Sequence, residues 1–343
     1  MTSSFPLLNL PSEAILHVLK SMDYGEFITI SLLSKRAKQA VESMNLYCRH
    51  ASVVISDSII LFMSRDSTHV KLNFTMDNVS DERTNGSLSL PDTVKLKIYT
   101  IGSQEMKWSI KGICIKTWIN HFKAVFHFSK FDLLRFDENT SRFDIEELQT
   151  TLRTIGVLYI LSDNGWDVKS ILKHFPARRL WFNNDVFKRL GNPHSVLIQN
   201  YDDLEIFPEF ELPNTLDLDD LLTTNSKTID IHGLDWTEKE LNRFLKHWIK
   251  GSNPRMEKLS ISLFSLKASN KFNILKGIKC MEMPADHTRW FKSCNGSVET
   301  VTGGYDFYRR DGTKATINFW EFGMGEMYVW YSHCVGKEEE MGN

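Results

Sequence analysis

The chain has 343 residues, 42% hydrophobic and 24% charged, with a formal net charge of −2. This is the composition of an ordinary folded protein with room for a small handle plus one sizeable domain, and it excludes a disordered chain. The near-zero charge excludes an overall basic field recruiting nucleic acid or an anionic membrane. The start Met1-Thr2-Ser3-Ser4 has no signal-peptide pattern, and no run reaches the ~18 apolar residues of a membrane span.

In the N-terminal segment Pro11 suits a first helical turn, where its missing N–H would be unbonded anyway, and apolar residues follow at Ile15, Leu16, Val18, Leu19 and Met22 with helical spacing. A second apolar set, Phe27, Ile30, Leu32 and Leu33, precedes the basic run Ser34-Lys35-Arg36-Ala37-Lys38, from which a third helix is predicted to run through Val41 and Met44. So small a unit buries little surface, so part of its apolar face is expected to be covered by something else.

The Phe5-Pro6-Leu7 opening, the Leu10-Pro11 pair, the Ile15/Val18/Leu19 helix and the Leu32-to-Lys38 run together resemble an F-box, the handle by which substrate receptors of SCF-type ubiquitin ligases bind the Skp adaptor. The chain is most similar to the nematode F-box proteins that carry a type-2 F-box-associated domain. The resemblance implies Skp contacts at Phe5, Pro6, Leu7, Leu10, Pro11, Ile15, Val18, Leu19, Leu32, Ser34, Lys35 and Lys38. Ala37 departs from the family pattern, since many F-boxes place a Trp in the third helix. The other reading of residues 5–48 is a helical cap on a larger core.

Beyond the handle, Val53-Val54-Ile55, Ile59-Ile60-Leu61-Phe62, Val70 to Met76 and Val94 to Tyr99 have strand character, with a polar loop expected from Asp77 to Asp92. Ile113 to Phe128 reads as a helix with Trp118, Ile119, Phe122, Val125 and Phe126 on one side, an aromatic density that suits packing better than a cofactor. From Thr154 short apolar runs recur at Val157–Ile160, Arg179–Phe182, Val196–Ile198, Thr215–Leu218, Thr228–Ile231 and Lys258–Ile261, each like the strand of a leucine-rich repeat. Thr237 and Glu240 form a capping box, and Leu241, Phe244, Leu245, Trp248 and Ile249 follow at helical spacing up to Gly251. The segment from Leu234 to Leu259 resembles the signature of the nematode F-box-associated domain. At the C-terminus Ser297 to Tyr308, Ala315 to Phe322 and Met327 to Tyr331 are expected to form a small antiparallel sheet, with Asp311-Gly312 as a tight turn.

These elements predict an α/β protein: a three-helix F-box (1–48), an irregular leucine-rich-repeat-like solenoid (49–297) and a β cap with a tail (298–343). Alternation along the strands turns Leu158, Ile160, Leu180, Phe182, Leu216, Leu218, Ile229 and Ile231 inward. It turns Tyr159, Trp181, Asp217 and Asp230 outward, as candidate substrate contacts.

No catalytic motif is present, neither HExxH, Gly-x-Ser-x-Gly, a Walker loop nor GxGxxG. Cys48, Cys114, Cys280, Cys294 and Cys334 are scattered without a CxxC pair, as in a chain whose thiols stay reduced. The even spacing of Cys280, His287 and Cys294 does not match zinc-ligand pairs. Residues 190–226 hold eight acids, Asp202, Asp203, Glu205, Glu209, Glu211, Asp217, Asp219 and Asp220, and no Lys or Arg.

The function expected is that of a non-enzymatic adaptor without cofactor or metal in the cytoplasm and/or nucleus. Its partners would be the Skp adaptor, cullin through it, and an unknown protein substrate, with no nucleic acid or membrane. A non-degradative binding scaffold and a plain repeat protein with a helical cap are the alternatives.

Overall fold

The computed structural model describes residues 7–65, 67–75, 93–99, 104–108, 113–137, 140, 143–161, 168–208, 213–263, 271–320 and 324–338. Phe5, Pro6 and the expected Asp77-to-Asp92 loop lie outside the described residues. The chain divides into two units, residues 1–158 with 163–176 and residues 159–162 with 177–343.

The first unit opens with a 3-10 turn (Leu7–Asn9) and helices α1 (Ser12–Ser21), α2 (Tyr24–Ser31) and α3 (Lys35–Glu42). Pro11 stands just ahead of α1, and its carbonyl accepts the Ile15 N–H at 3.0 Å. Asp23 and Glu26 form a reciprocal capping box at α2, and the Ser34 hydroxyl accepts the Ala37 N–H at 3.1 Å to start α3. Ile15, Leu19, Phe27, Ile28, Ala37 and Val41 are buried.

Five antiparallel strands follow: β1 (His50–Ile55), β2 (Ile59–Arg65), β3 (Thr68–Thr75), β4 (Thr93–Tyr99) and β5 (Gln104–Trp108). Alternation decides their inner face, with Val53, Leu61, Leu72 and Leu96 fully buried. Helix α4 (Ile115–Val125) packs its aromatic side against this sheet, Trp118 lying 6.1 Å from Phe74 and 6.2 Å from Trp108 between ring centres. Strand β6 (Phe131–Phe136) then joins β1 in parallel, and α5 (Ile145–Leu152), β7 (Ile155–Ile160) and α6 (Val168–His174) follow, the division between the units falling within β7.

In the second unit β8 (Arg179–Asn183) is followed by α7 (Asn184–Arg189) and α8 (His194–Leu197), then β9 (Asp203–Phe207), α9 (Leu218–Thr223), β10 (Thr228–Leu234), α10 (Glu238–Lys250), β11 (Lys258–Leu263) and α11 (Lys271–Ile274). Strands β8 to β11 are parallel neighbours in chain order. Helix α10 carries the expected capping box, buries Phe244, Leu245 and Trp248, and ends at Gly251 with φ +118°. Then come β12 (Cys280–Glu282), a hairpin of β13 (Thr288–Lys292) and β14 (Val298–Thr302), and β15 (Tyr305–Tyr308), β16 (Lys314–Trp320) and β17 (Met324–Val329). A turn with Gly312 at φ +90° links β15 to β16.

The expected leucine-rich-repeat-like solenoid with a separate β cap is overturned by this topology. The C-terminal strands β15, β16 and β17 are antiparallel as expected, but β17 pairs antiparallel with β11 from Lys258↔Tyr328 to Ser262↔Met324, so the C-terminal strands continue the parallel sheet instead of capping a stack of repeats. In the first unit an antiparallel meander likewise joins β6 through β1. Both units are therefore built on mixed sheet. Two of the expected repeat strands do not form. Val196 and Leu197 lie in α8, and Thr215 to Leu218 lead into α9, where Asp217 is the N-cap. Short apolar runs look alike whether strand or helix buries them, and here local capping won.

Candidate protein-docking surfaces

The helical handle of the first unit is anchored on α4. The Ser31 hydroxyl donates to the Ile28 carbonyl at 2.6 Å, which leaves its lone pairs to accept from Nε2–H of His121 at 2.8 Å. The Cys48 N–H donates to the Phe126 carbonyl at 2.9 Å, and the His127 ring meets the Glu42 carbonyl at 2.9 Å. Burial pushes the His121 pKa down to about 4, and the Lys38 charge adds to the effect.

Of the expected adaptor contacts, Ile15 and Leu19 are buried inside the handle, while Leu7, Leu10, Val18, Leu32 and Lys38 are half-buried. Pro11, Ser34 and Lys35 are exposed, and Phe5 and Pro6 are outside the described residues. Leu33 and Tyr47, which the resemblance did not single out, are large apolar side chains 72% and 61% exposed. The handle thus shows water more apolar surface than its own packing uses.

On the second unit one sheet face carries half-buried aromatic and charged side chains. The inward residues are as expected: Leu180, Phe182, Ile229 and Ile231 are buried. The outward ones come together. Tyr159 lies 6.1 Å from Trp181 and 5.4 Å from Phe207 between ring centres, and Phe207 stacks on His232 at 5.3 Å. Register sets Trp181, Glu205 and Asp230 in one row, with Arg179, Asp203, Thr228 and Lys258 in the row beside it. Asp217 is not part of this face: it caps α9 and lines a different cavity with Asp219, Trp236 and Arg243.

Phe207, His232, Asp203 and Glu205 were missed as members of the face. The signal that would have found them is the alternation Asp203-Leu204-Glu205-Ile206-Phe207, which is β9 and was hidden in the acidic run. The run itself does not make one surface. Asp202 is paired with Arg178 and Lys227, Asp217 and Asp220 form a helix capping box, and Glu209 and Glu211 lie outside the described residues.

The turn between β13 and β14 closes a cavity of about 330 Å³ beside this face, lined by Arg179, Asp203, Asp230, Lys258, Cys294 and Glu299. Lys258 is bound to Glu299 at 2.7 Å and to Glu326 at 3.4 Å. Burial works against the lysine charge, yet the bonds to Glu299 hold its pKa above the ordinary value. The Trp181 Nε1–H donates to Asp203 at 3.1 Å, and His232 meets Glu205 at 2.9 Å. Burial, then the Asp203 charge, pushes Asp230 up to about 6; burial raises Asp203 as well, and the hydrogen bond to Glu205 raises His232.

Two family models match this chain: the F-box domain over residues 7–49 and the F-box associated family over residues 192–261. The chain carries an F-box and an F-box-associated domain. It is similar to the Caenorhabditis elegans F-box associated domain-containing protein sdz-33, at 29% identity over 265 residues, 76% of this chain and 79% of that protein. The F-box match coincides with the 3-10 turn and helices α1 to α3, and the F-box-associated match runs from α8 to β11. The aromatic and acidic face therefore draws Phe207, His232, Asp203, Glu205 and Asp230 from within the F-box-associated segment. No solved structure matches the chain. Among the described residues no helix is long and apolar enough to cross a membrane.

Proposed function

We propose that this F-box protein is the substrate-recognition adaptor of an SCF-type ubiquitin ligase, docking on the Skp adaptor through its handle and, through Skp, on cullin. The observation that carries the proposal is the F-box match over the capped helices α1 to α3, whose surface leaves Pro11, Leu33 and Tyr47 exposed and Leu10 half-exposed. Ubiquitin transfer belongs to another subunit, and this chain supplies recognition alone. Substrate protein is captured on the sheet face of Tyr159, Trp181, Phe207 and Asp230, because rigid half-buried aromatics beside carboxylates are suited to anchoring a partner at low entropic cost.

Two variants test the two halves. Leu10→Ala with Pro11→Ala truncates exposed and half-exposed handle residues outside its buried core and is expected to cost at least ~2 kcal/mol of Skp affinity, a loss of tens of fold. Unchanged affinity in the folded variant refutes the handle. Tyr159→Ala, Trp181→Ala and Asp230→Asn together are expected to keep Skp and cullin in a pull-down while losing the substrates marked by proximity labelling. An unchanged labelled set moves substrate capture off this face. Asp217 is left native because its substitution would uncap α9.

A further inference from the structure

Away from both docking surfaces, three ligand-type side chains meet where the C-terminal turn touches the start of β11. Glu257, His333 and Cys334 place a carboxylate oxygen, an imidazole nitrogen and a thiol sulfur within 4.8 Å of one another. Glu257 is the informative member, since its side chain is 4% exposed and its Oε1 is held by His333 at 3.0 Å and Lys227 at 3.7 Å. Its Oε2 is buried with no hydrogen-bond partner. The Cys334 thiol faces this carboxylate only as a weak donor, so the desolvation of the buried oxygen is poorly compensated and the site has room for a stronger ligand.

We propose that Glu257, His333 and Cys334 bind one divalent transition-metal ion of the zinc class. Oxygen, nitrogen and sulfur donors together suit zinc and disfavour magnesium and calcium, which take oxygen. Donors around a tetrahedral zinc lie roughly 3–4 Å apart, so adjustments of about 1 Å by these side chains close the site.

The backbone already holds the ligands in place. The Glu257 N–H donates to the Lys227 carbonyl at 2.7 Å, and its own carbonyl accepts the Val329 N–H at 2.8 Å. The Cys334 N–H donates to the Tyr331 carbonyl at 2.9 Å, the His333 ring stacks on Tyr331 at 5.6 Å, and the Tyr331 hydroxyl donates to the Pro254 carbonyl at 2.7 Å.

Phe291, Val301 and Tyr328 pack around Cys334 and keep its side of the site dry, while His333, 63% exposed, leaves the fourth position open to water. Binding releases the thiol proton of Cys334 to solvent and takes His333 as the neutral imidazole through Nε2. The dication, the Glu257 carboxylate and the Cys334 thiolate then sum to zero charge. Lys227 opposes the ion, but it also reaches Asp202 at 3.6 Å and stays there when Glu257 turns to the metal. The ion would tie the C-terminal turn to the central sheet of the second unit, as a structural staple.

Cobalt(II) titration of chelator-treated full-length protein tests this. One ion per chain with a thiolate-to-cobalt charge-transfer band, displaced by Zn²⁺ and not by Mg²⁺, is expected. Zn²⁺ should also raise the unfolding temperature of the native protein. Cys334→Ser should abolish the band, and His333→Gln, at an exposed side chain that keeps the packing, should weaken cobalt binding at least ~10-fold. Absence of the band at saturating cobalt, a band that survives in Cys334→Ser, or unchanged affinity in a folded His333→Gln overturns the proposal.

Discussion

Replacing Asp230 with Asn should make the protein more stable at neutral pH. Its carboxyl sits on the sheet face, where burial and the neighbouring Asp203 and Glu205 charges raise its pKa from 3.8 to about 6. The nearby Lys258 charge relieves this in part, more than Glu205 adds to it, but it is shared with Glu299 at 2.7 Å and Glu326 at 3.4 Å and does not overcome burial and Asp203. The folded state therefore binds the Asp230 proton more tightly than the unfolded state does. Stability from this group is present at low pH, falls as pH rises between 3.8 and about 6, and the full penalty stands above that. The pKa difference corresponds to about 3 kcal/mol, and partial solvent access reduces it to roughly 1–3 kcal/mol. Asp230→Asn keeps the shape and can still hydrogen-bond Ser260, but cannot ionise. Urea unfolding followed by circular dichroism should show that gain near about pH 7.5, where wild-type Asp230 is ionised, and almost none near about pH 4. Lower stability of the variant at neutral pH would mean that the carboxylate is a stabilising partner of Lys258, and a gain independent of pH would place its origin elsewhere; either refutes the reasoning. Asp230 stands in the same row as Trp181, two strands away with Glu205 between them.

Three further outcomes follow from the contacts. His121, lowered from 6.5 to about 4, binds its proton less tightly folded than unfolded, so stability of the first unit should be complete above about pH 6.5 and decline by roughly 1–2 kcal/mol, after solvent screening, as pH falls toward 4. His121→Gln should flatten that acid limb in unfolding curves, and a wild-type slope in the variant would rule it out. Thr237→Ala removes the cap of α10 and should cost ~1 kcal/mol in denaturant unfolding, an effect whose absence would show the capping box to be idle. Deleting residues 1–48 removes the Ser31–His121 and Cys48–Phe126 hydrogen bonds but none of the second unit, so Trp236 to Leu263 should stay protected in limited proteolysis while Skp binding is lost. Cleavage within that segment would make the handle an integral cap.

The sequence by itself determined what depends on neighbours in the chain. The capping box of Thr237 and Glu240, the Gly251 stop, the alternation that buries Leu180 and Phe182 and shows Trp181, and the ordered F-box residues were all legible, because each involves contacts a few residues apart. Tertiary structure decided what depends on partners far along the chain. Nothing in Met324 to Val329 says that it will pair with β11, because hydrogen bonds at a strand edge are made by backbone that is the same in every residue. That pairing in the second unit, with the β1–β6 pairing in the first, turned the expected repeat stack with a cap into mixed sheet. The same holds for the sites: alternation alone puts Asp217 on a strand, whereas its carboxylate caps α9, and Phe207 and His232 join Tyr159 and Trp181 only because parallel strands set them side by side. Glu257 met His333 and Cys334 for the same reason, across a separation in sequence that no local pattern encodes.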